Sequence, residues 1–218
     1  TGSAPKMWKL MGEMGHKIIS PVPSLFTFNC KHKIINQLPG ISFPEAEISI
    51  PQLKLKEFGP LLITHWGISG PSVLKLSAWG ARELASLNYK FDVRINWISE
   101  KFESVKETLQ EQKQQHPKKS IYSLKIYNIT QRFWQNMLSM LEIKDKLLAD
   151  LGKTDSNKIA EALTNTQLSV TGKSTFKDEF VTAGGIDLKE VNFQTMQSKL
   201  IPNLYFAGEV LNIDALTG

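Results

Sequence analysis

The nonapeptide YKFDVRINW, residues 89–97, carries the clearest structural pattern in the sequence. Apolar side chains occupy every second position, and charged or amide side chains stand between them. Successive side chains of a strand point to opposite faces, so this alternation predicts a β-strand with one buried and one solvated face. The predicted buried face comprises Tyr89, Phe91, Val93, Ile95 and Trp97.

Shorter segments with the same period lie on both sides of this strand. They are residues 26–30, 47–50 and 53–56 before it, and residues 168–170 and 179–183 after it. Many short alternating strands separated by turn residues favour an antiparallel barrel or a sandwich. The sequence therefore predicts a β domain that is built from two separated parts of the chain.

The segment between those two parts, residues 99–164, has a helical pattern. Phe102, Val105 and Leu109 recur at helical spacing before Pro117, and Thr130 is the expected N-cap of a later helix. Apolar residues form single stripes there, which predicts a small helical bundle inserted into the β domain. The predicted fold class is α+β, an antiparallel β-barrel-like domain with a helical insertion.

A glycine-rich loop, THWGISG at residues 64–70, precedes a predicted helix. Such a loop in front of a helix N-terminus can hold an anion or a polarised carbonyl. His65 is therefore the candidate catalytic, proton-transferring residue, since the other histidines, His16, His32 and His116, lie in patterns that look exposed. The candidate substrate-binding residues are Trp66, Gly67, Ser69 and Gly70. Alternatively, the glycines only turn the chain and Trp66 packs.

The C-terminal stretch LIPNLYFAGEVLNIDALTG, residues 200–218, contains a short apolar run at residues 204–207. This run predicts a buried strand that ends at Gly208 and Glu209. A glycine lets the backbone approach a ligand closely, and a carboxylate accepts hydrogen bonds from sugar-type hydroxyl groups. The sequence therefore suggests a ligand contact at this end of the strand.

Three separated motifs resemble one flavoprotein family in the same order. They are LLITHWGISGPSVLKLS at residues 61–77, FVTAGGIDLKEV at residues 180–191 and TMQSKLIPNLYFAGEVLNIDALTG at residues 195–218. The chain resembles bacterial NAD(P)/FAD-dependent oxidoreductases of the aminoacetone-oxidase-like type. It departs from them at Ala215, where a glycine is common, and it contains no G-x-G-x-x-G turn.

The resemblance implies a middle portion of a longer flavoprotein that lacks the N-terminal dinucleotide-binding unit. It implies that the barrel and the helices cover the flavin on its substrate side. The implied domains are a remnant of the FAD-binding domain at 1–22, the β domain at 23–98 and 165–185, the helical domain at 99–164 and a return to the FAD-binding domain at 186–218. The implied cofactor contacts are Gly2, Gly208, Glu209, Asp214, Thr217 and Gly218.

The same resemblance implies FAD in the full-length protein, with NADH, NADPH or oxygen as its redox partner. This chain alone is expected to be inactive and to bind no flavin, because the dinucleotide-binding turn is absent. The expected partners are a small-molecule substrate and the missing parts of its own FAD-binding domain. A non-catalytic ligand- or protein-binding module, or a structural spacer, is the alternative, and the flavin absorbance of the parent protein distinguishes these hypotheses.

Composition and charge limit the kinds of partner and of metal site that this chain can have. The net charge is +5, but the 26 basic residues are spread among 21 acidic ones, so no nucleic-acid partner is expected. No apolar run reaches the roughly 20 residues of a transmembrane helix, so no membrane partner is expected. A single cysteine, Cys30, excludes an internal disulfide and a Cys-based zinc site. No metal site and a cytoplasmic location are therefore predicted.

Overall fold

Six antiparallel strands close into a barrel in a computed structural model that describes residues 5–174 and 181–214. In chain order, the strands of these residues are β1 (Ile18–Ser24), β2 (Phe28–Cys30), β3 (Ser42–Ile50), β4 (Leu55–Ile63), β5 (Gly67–Ser69), β6 (Phe91–Asn96), β7 (Thr166–Lys173), β8 (Val181–Ile186), β9 (Val191–Asn192) and β10 (Gln197–Ser198). The α-helices are α1 (Pro5–Glu13), α2 (Pro71–Trp79), α3 (Ala81–Ser86), α4 (Phe102–Gln115), α5 (Gln131–Met140) and α6 (Lys153–Thr164).

The barrel has the strand order β2-β5-β4-β3-β6-β7, and all its neighbours are antiparallel. On β6, Phe91, Val93 and Ile95 are buried, whereas Asp92 and Arg94 are exposed. This burial is the alternation that the sequence predicted. The register pairs Val93 with Leu168 on β7, so apolar side chains from distant parts of the chain meet inside the barrel.

The helices α4, α5 and α6 leave the barrel after β6 and return to it at β7. The Thr130 hydroxyl accepts a hydrogen bond from the backbone N–H of Phe133 at 3.4 Å, as expected of an N-cap. Trp97, directly after β6, donates its indole N–H to Thr166 Oγ1 at 2.8 Å. The predicted fold class, a barrel with a helical insertion, is confirmed, and the barrel and the insertion share one hydrophobic core.

A second, smaller core forms beside the barrel. It contains Trp8 and Met11 of α1 together with residues from the C-terminal segment, and it comprises Trp8, Met11, Ile186, Val191, Phe206, Val210 and Leu211. Strand β8 pairs with β1 in a separate two-stranded sheet. The second range predicted for the β domain, residues 165–185, is therefore split between two sheets. Strand β7 lies in the barrel, and β8 lies in this separate sheet.

Two expectations about local structure are wrong. Residues 204–207 do not form a buried strand: Tyr205 makes only an isolated bridge to Gln197, and its side chain is 58% exposed. In the described part of the chain they lie beside β10, which is only two residues long. The Ser198 N–H donates to the Leu204 carbonyl at 2.8 Å and the Phe206 N–H to the Met196 carbonyl at 2.9 Å, so the pairing is too short to make a strand. His16 is buried rather than exposed. Its Nδ1 lies 2.9 Å from Glu190 Oε2, and its Nε2 lies 3.1 Å from the Ser198 hydroxyl oxygen.

Two further observations concern the described residues as a whole. Across 5–174 and 181–214, no helix is both long and apolar enough to cross a membrane. Over the same ranges, the histidine, cysteine and carboxylate side chains do not form a group of three or more that could hold a metal ion.

Candidate functional site

The turn between β4 and β5 places His65 and Trp66 at an exposed tip. Thr64 closes this turn: its backbone N–H donates to the Gly67 carbonyl at 2.8 Å, and its hydroxyl accepts from the Gly67 N–H at 3.1 Å. The Trp66 side chain is 59% exposed, and His65 is exposed as well. The turn therefore presents both side chains at one rim of the barrel.

The two glycines of this loop have packing roles. A Cβ on Gly67 would lie 2.1 Å from the Phe28 carbonyl oxygen, which is far inside contact distance. Gly70 has a φ of +101°, and a Cβ there would lie 2.8 Å from the Pro60 carbonyl oxygen. The missing side chain at Gly67 lets the loop approach β2 closely, and the missing side chain at Gly70 lets it approach β4. Ser69 has a partner too, since its Oγ accepts from the Thr27 hydroxyl at 2.9 Å.

A cleft of about 810 Å³ opens beside the turn. One wall is the segment 30–39, and the other is formed by Thr64, His65 and Gly67. The ionisable side chains around the cleft are Lys31, Lys33, His32, His65 and Cys30, and none of the lining residues is an aspartate or a glutamate. The cleft therefore has a positive electrostatic character, which favours an anionic ligand.

The helical insertion holds the wall of this cleft in place. Asn136 on α5 donates through its side-chain amide to the carbonyl oxygens of Lys33 and Ile34, both at 2.9 Å. Arg132, one turn earlier on the same helix, donates to the carbonyl oxygen of Gln37 at 3.0 Å. These bonds connect residues about 100 positions apart in the chain. The insertion thus positions the backbone that presents Lys31 and Lys33.

Two groups in the cleft have shifted acidities. The Cys30 thiol is buried, and this burial raises its pKa to about 12, although a backbone hydrogen bond from Ile68 opposes the shift. The thiol is therefore protonated at neutral pH. Burial, together with the nearby Lys33 charge, lowers the pKa of His32. Nδ1 of His32 accepts the Ile34 N–H at 3.2 Å, which leaves Nε2–H as the donor of the neutral ring.

The sequence analysis did not include Lys31, His32 and Lys33 among the site residues. The signal was present as three consecutive basic or titratable residues, KHK, directly after a predicted strand. Read alone, such a short run is typical of a solvated surface. Only the fold shows that the run faces His65 across a cleft.

The predicted cofactor contacts lie elsewhere. Gly208, with a φ of +72°, opens a 3₁₀ turn at Gly208–Val210, and Glu209 is half-buried there. Asp214 is exposed and pairs with Arg82 of α3, at 3.0 Å. None of these residues lines the cleft, so the structure does not bring them together with His65. The remaining predicted contacts, Gly2, Thr217 and Gly218, and the departure at Ala215, lie outside the described residues.

Curated relatives of this chain include two ribosomal RNA dihydrouridine synthases and a bile-acid reductase. The chain is 27% identical to the ribosomal RNA dihydrouridine synthase of Escherichia coli and 28% identical to that of Haemophilus influenzae, in both cases over its full length and 52% of the relative. It is 23% identical to the 3-dehydro-bile acid delta(4,6)-reductase of Clostridium scindens, over its full length and 54% of that protein. The chain thus spans about half the length of the curated relatives it matches.

The sequence profile of one family covers most of the chain. The HI0933-like protein barrel and H2TH domain matches residues 22–181, which include all six barrel strands and the helical insertion. The three relatives have the names of two different reductive enzymes, and none of these names is aminoacetone oxidase. The resemblance that the sequence analysis proposed is therefore confirmed only at a coarser level. This chain belongs to the HI0933-like barrel and H2TH domain family.

Proposed function

We propose that this chain is the barrel and helical portion of a flavin-dependent oxidoreductase that reduces the uracil base of a uridine in RNA. One observation carries the proposal: the whole chain aligns with two ribosomal RNA dihydrouridine synthases, at 27% and 28% identity. The positive cleft at the barrel rim supports it, because RNA is a polyanion.

The reactions named for these relatives are of one type. Making dihydrouridine adds two hydrogens across the carbon–carbon double bond of uracil, which is conjugated to a carbonyl. A delta(4,6)-reductase acting on a 3-dehydro-bile acid would reduce double bonds that are conjugated to a ketone. Both reactions deliver a hydride equivalent to one carbon and a proton to its neighbour. The reaction class proposed for this protein is therefore the reduction of an electron-poor, conjugated double bond.

Flavin chemistry suits this reaction, and the chain contains residues that fit part of a flavin site. No described atom lies within 4 Å of the position that a Cβ on Gly208 would take, so a ligand can approach its backbone. The Glu209 carboxylate has no hydrogen-bond partner among residues 5–174 and 181–214, and it can accept from a ligand hydroxyl. Bound FAD would supply the hydride, and NADH or NADPH would reduce the oxidised cofactor.

Asp214 fits a direct cofactor contact less well, because both of its carboxylate oxygens already accept from Arg82 Nη2. We assign it a supporting role in which it connects the C-terminal segment to α3. His65 remains the proposed proton donor, since it stands exposed at the rim of the cleft. We assign Ser69 and Gly70 a supporting role, because their contacts hold the loop that forms this rim.

An RNA substrate departs from the expectation of a small-molecule substrate without nucleic acid. That expectation rested on the absence of a long basic stripe in the sequence, and it remains an untested prediction. The fold concentrates positive charge in a different way, by placing the 31–33 segment opposite His65. A small anionic enone, of the kind named by the bile-acid relative, is the second candidate substrate.

The test is a reduction assay on the intact protein that carries this chain. We expect the absorbance of oxidised flavin in the purified protein and NAD(P)H-dependent conversion of uridine to dihydrouridine in ribosomal RNA. The product is measured as a mass gain of two hydrogens. Reduction of a steroid enone acid but not of RNA would favour the second candidate. A protein without flavin that reduces neither substrate would support a non-catalytic binding module and refute the proposal.

A further inference from the structure

The cleft at the barrel rim presents several hydrogen-bond donors, and three backbone acceptors of its wall are already paired. Lys31 and Lys33 contribute ammonium groups, and Asn36 and Gln37 contribute side-chain amides, all from an exposed turn. The carbonyl oxygens of Lys33, Ile34 and Gln37, which could have accepted hydrogen bonds, are occupied by the side chains of α5. The helical insertion thus removes acceptors from this wall while the donors remain available.

The turn is also rigid, although its side chains are exposed. Ile34, Ile35 and Leu38 are buried in the main core and fix the backbone from below. Backbone hydrogen bonds between near neighbours close the turn, from the Ile35 N–H to the His32 carbonyl at 3.2 Å and from the Leu38 N–H to the Ile35 carbonyl at 3.3 Å. A rigid backbone reduces the entropy that must be lost when a ligand binds.

We propose that this cleft binds the sugar–phosphate backbone of a single-stranded RNA segment, with Lys31 and Lys33 pairing with its phosphates. The inference rests on the proposed function and names the surface that contacts its substrate. Single-stranded nucleic acid is bound by positive grooves that follow the backbone, and a cleft without carboxylates presents no repulsion to phosphate. His32 adds a neutral N–H donor at the same wall.

The experiment compares two double variants of the intact protein. Lys31→Gln/Lys33→Gln removes both charges from the cleft. Lys54→Gln/Lys56→Gln removes the same charge at the same spacing, near the opposite end of β4, about 25 Å along the strand from the cleft. The control also breaks the Lys56–Glu47 ion pair, so thermal unfolding is recorded for both variants. Binding of a fluorescent single-stranded RNA that contains uridine is titrated at several salt concentrations.

We expect the cleft variant to bind RNA about tenfold more weakly or worse, and its slope of log affinity against log salt to fall by about 1.4, which is about 0.7 for each lost phosphate contact. The control variant should retain the affinity and slope of the unchanged protein. Equal affinity and equal slope in the cleft variant would overturn the proposal.

A second titration, of the cleft variant with NADPH, tests whether the cleft binds a phosphorylated cofactor instead of RNA. NADPH is the probe because it carries a phosphate that NADH lacks. If the cleft variant loses affinity for NADPH but not for RNA, the cleft serves the cofactor and the inference is wrong. The test of RNA binding is also independent of the test of the proposed reaction. A protein that binds RNA through Lys31 and Lys33 without reducing uridine supports the inference and refutes the reaction. A protein that reduces uridine while the cleft variant binds RNA normally does the opposite.

Discussion

Asp214 accepts hydrogen bonds from Arg82 Nη2 at both carboxylate oxygens, at 3.0 Å and 3.2 Å, across 132 positions of sequence. The same nitrogen donates to Asn212 Oδ1 at 2.7 Å. One guanidinium of α3 therefore holds the end of the described C-terminal segment. The side chains are 37% and 46% exposed, so the ion pair is open to solvent and is weakened by salt.

The first prediction concerns the strength of this pair. A double-mutant cycle with Arg82→Ala and Asp214→Ala should give a coupling of at most about 1 kcal/mol in urea unfolding, because exposed ion pairs contribute little. The coupling should shrink as salt is added. A coupling above about 2 kcal/mol that salt does not change would contradict a solvent-exposed pair.

The second prediction concerns Glu209 in the intact protein. If its carboxylate accepts a ribityl-type hydroxyl hydrogen bond, Glu209→Gln should weaken flavin binding about ten- to a hundredfold, since such a charge-assisted bond contributes about 1.5–3 kcal/mol. Flavin affinity is measured by fluorescence titration of the apoprotein. Thermal unfolding of the apoprotein provides the control and should not change. Unchanged affinity combined with lower apoprotein stability would make Glu209 structural.

The third prediction concerns the junction of the barrel and the helical insertion. Phe133 on α5 is fully buried, and its ring centroid lies 4.8 Å from that of Phe43 and 5.1 Å from that of Trp97. Phe133→Ala should lower the free energy of unfolding by about 3–5 kcal/mol. Tryptophan fluorescence and far-UV circular dichroism should still report one urea transition, because the core is shared.

Phe58 on β4 provides the matched control, because it is also a phenylalanine but is 55% exposed. Phe58→Ala should change the free energy of unfolding by no more than about 0.5 kcal/mol. Two separate transitions in the Phe133 variant, with the barrel unaffected, would show that the insertion folds independently.

The fourth prediction concerns Gly67. An alanine there places its Cβ 2.1 Å from a backbone oxygen of β2, so β2 and β5 must separate. Gly67→Ala should cost about 1–3 kcal/mol or more in urea unfolding. Gly172→Ala on β7 is the control, because its nearest neighbour would be Asn29 Nδ2 at 4.0 Å. Equal stability of both variants would mean that the barrel accommodates the methyl group at either position.

The fifth prediction concerns pH. The folded state raises the pKa of the Cys30 thiol from 9.0 to about 12, so it favours the neutral thiol. The stabilisation is complete below pH 9 and is lost as the pH rises toward 12, because the unfolded chain ionises first. Between these values, one proton contributes a slope of at most about 1.4 kcal/mol per pH unit.

Cys30→Ala isolates this contribution, since Tyr89 and Tyr127 also have raised pKa values and act in the same direction. The free energy of unfolding of the variant should fall less steeply above pH 9 than that of the unchanged protein. Parallel pH profiles would show that the thiol ionises equally in both states.

The sequence alone determined the local elements. The alternation at residues 89–97 gave β6, and Thr130 gave the start of α5, because both signals arise from side chains within a few residues of each other. The fold class followed from the order of these elements. His65, Trp66 and the glycines were found for the same reason, as members of one contiguous loop.

Only the tertiary structure decided which of these elements meet. The cleft depends on Asn136 reaching the Lys33 carbonyl across 103 positions and on the β2–β5 register that places Gly67 against β2. The run at residues 204–207 failed as a strand for the same reason. An apolar run records that a segment tends to be buried, whereas a strand also needs a neighbouring backbone that pairs with it over several residues, and β10 contributes only Gln197 and Ser198. Sequence periodicity fixes how each element presents its faces, but burial and hydrogen bonding between distant residues decide which faces come together.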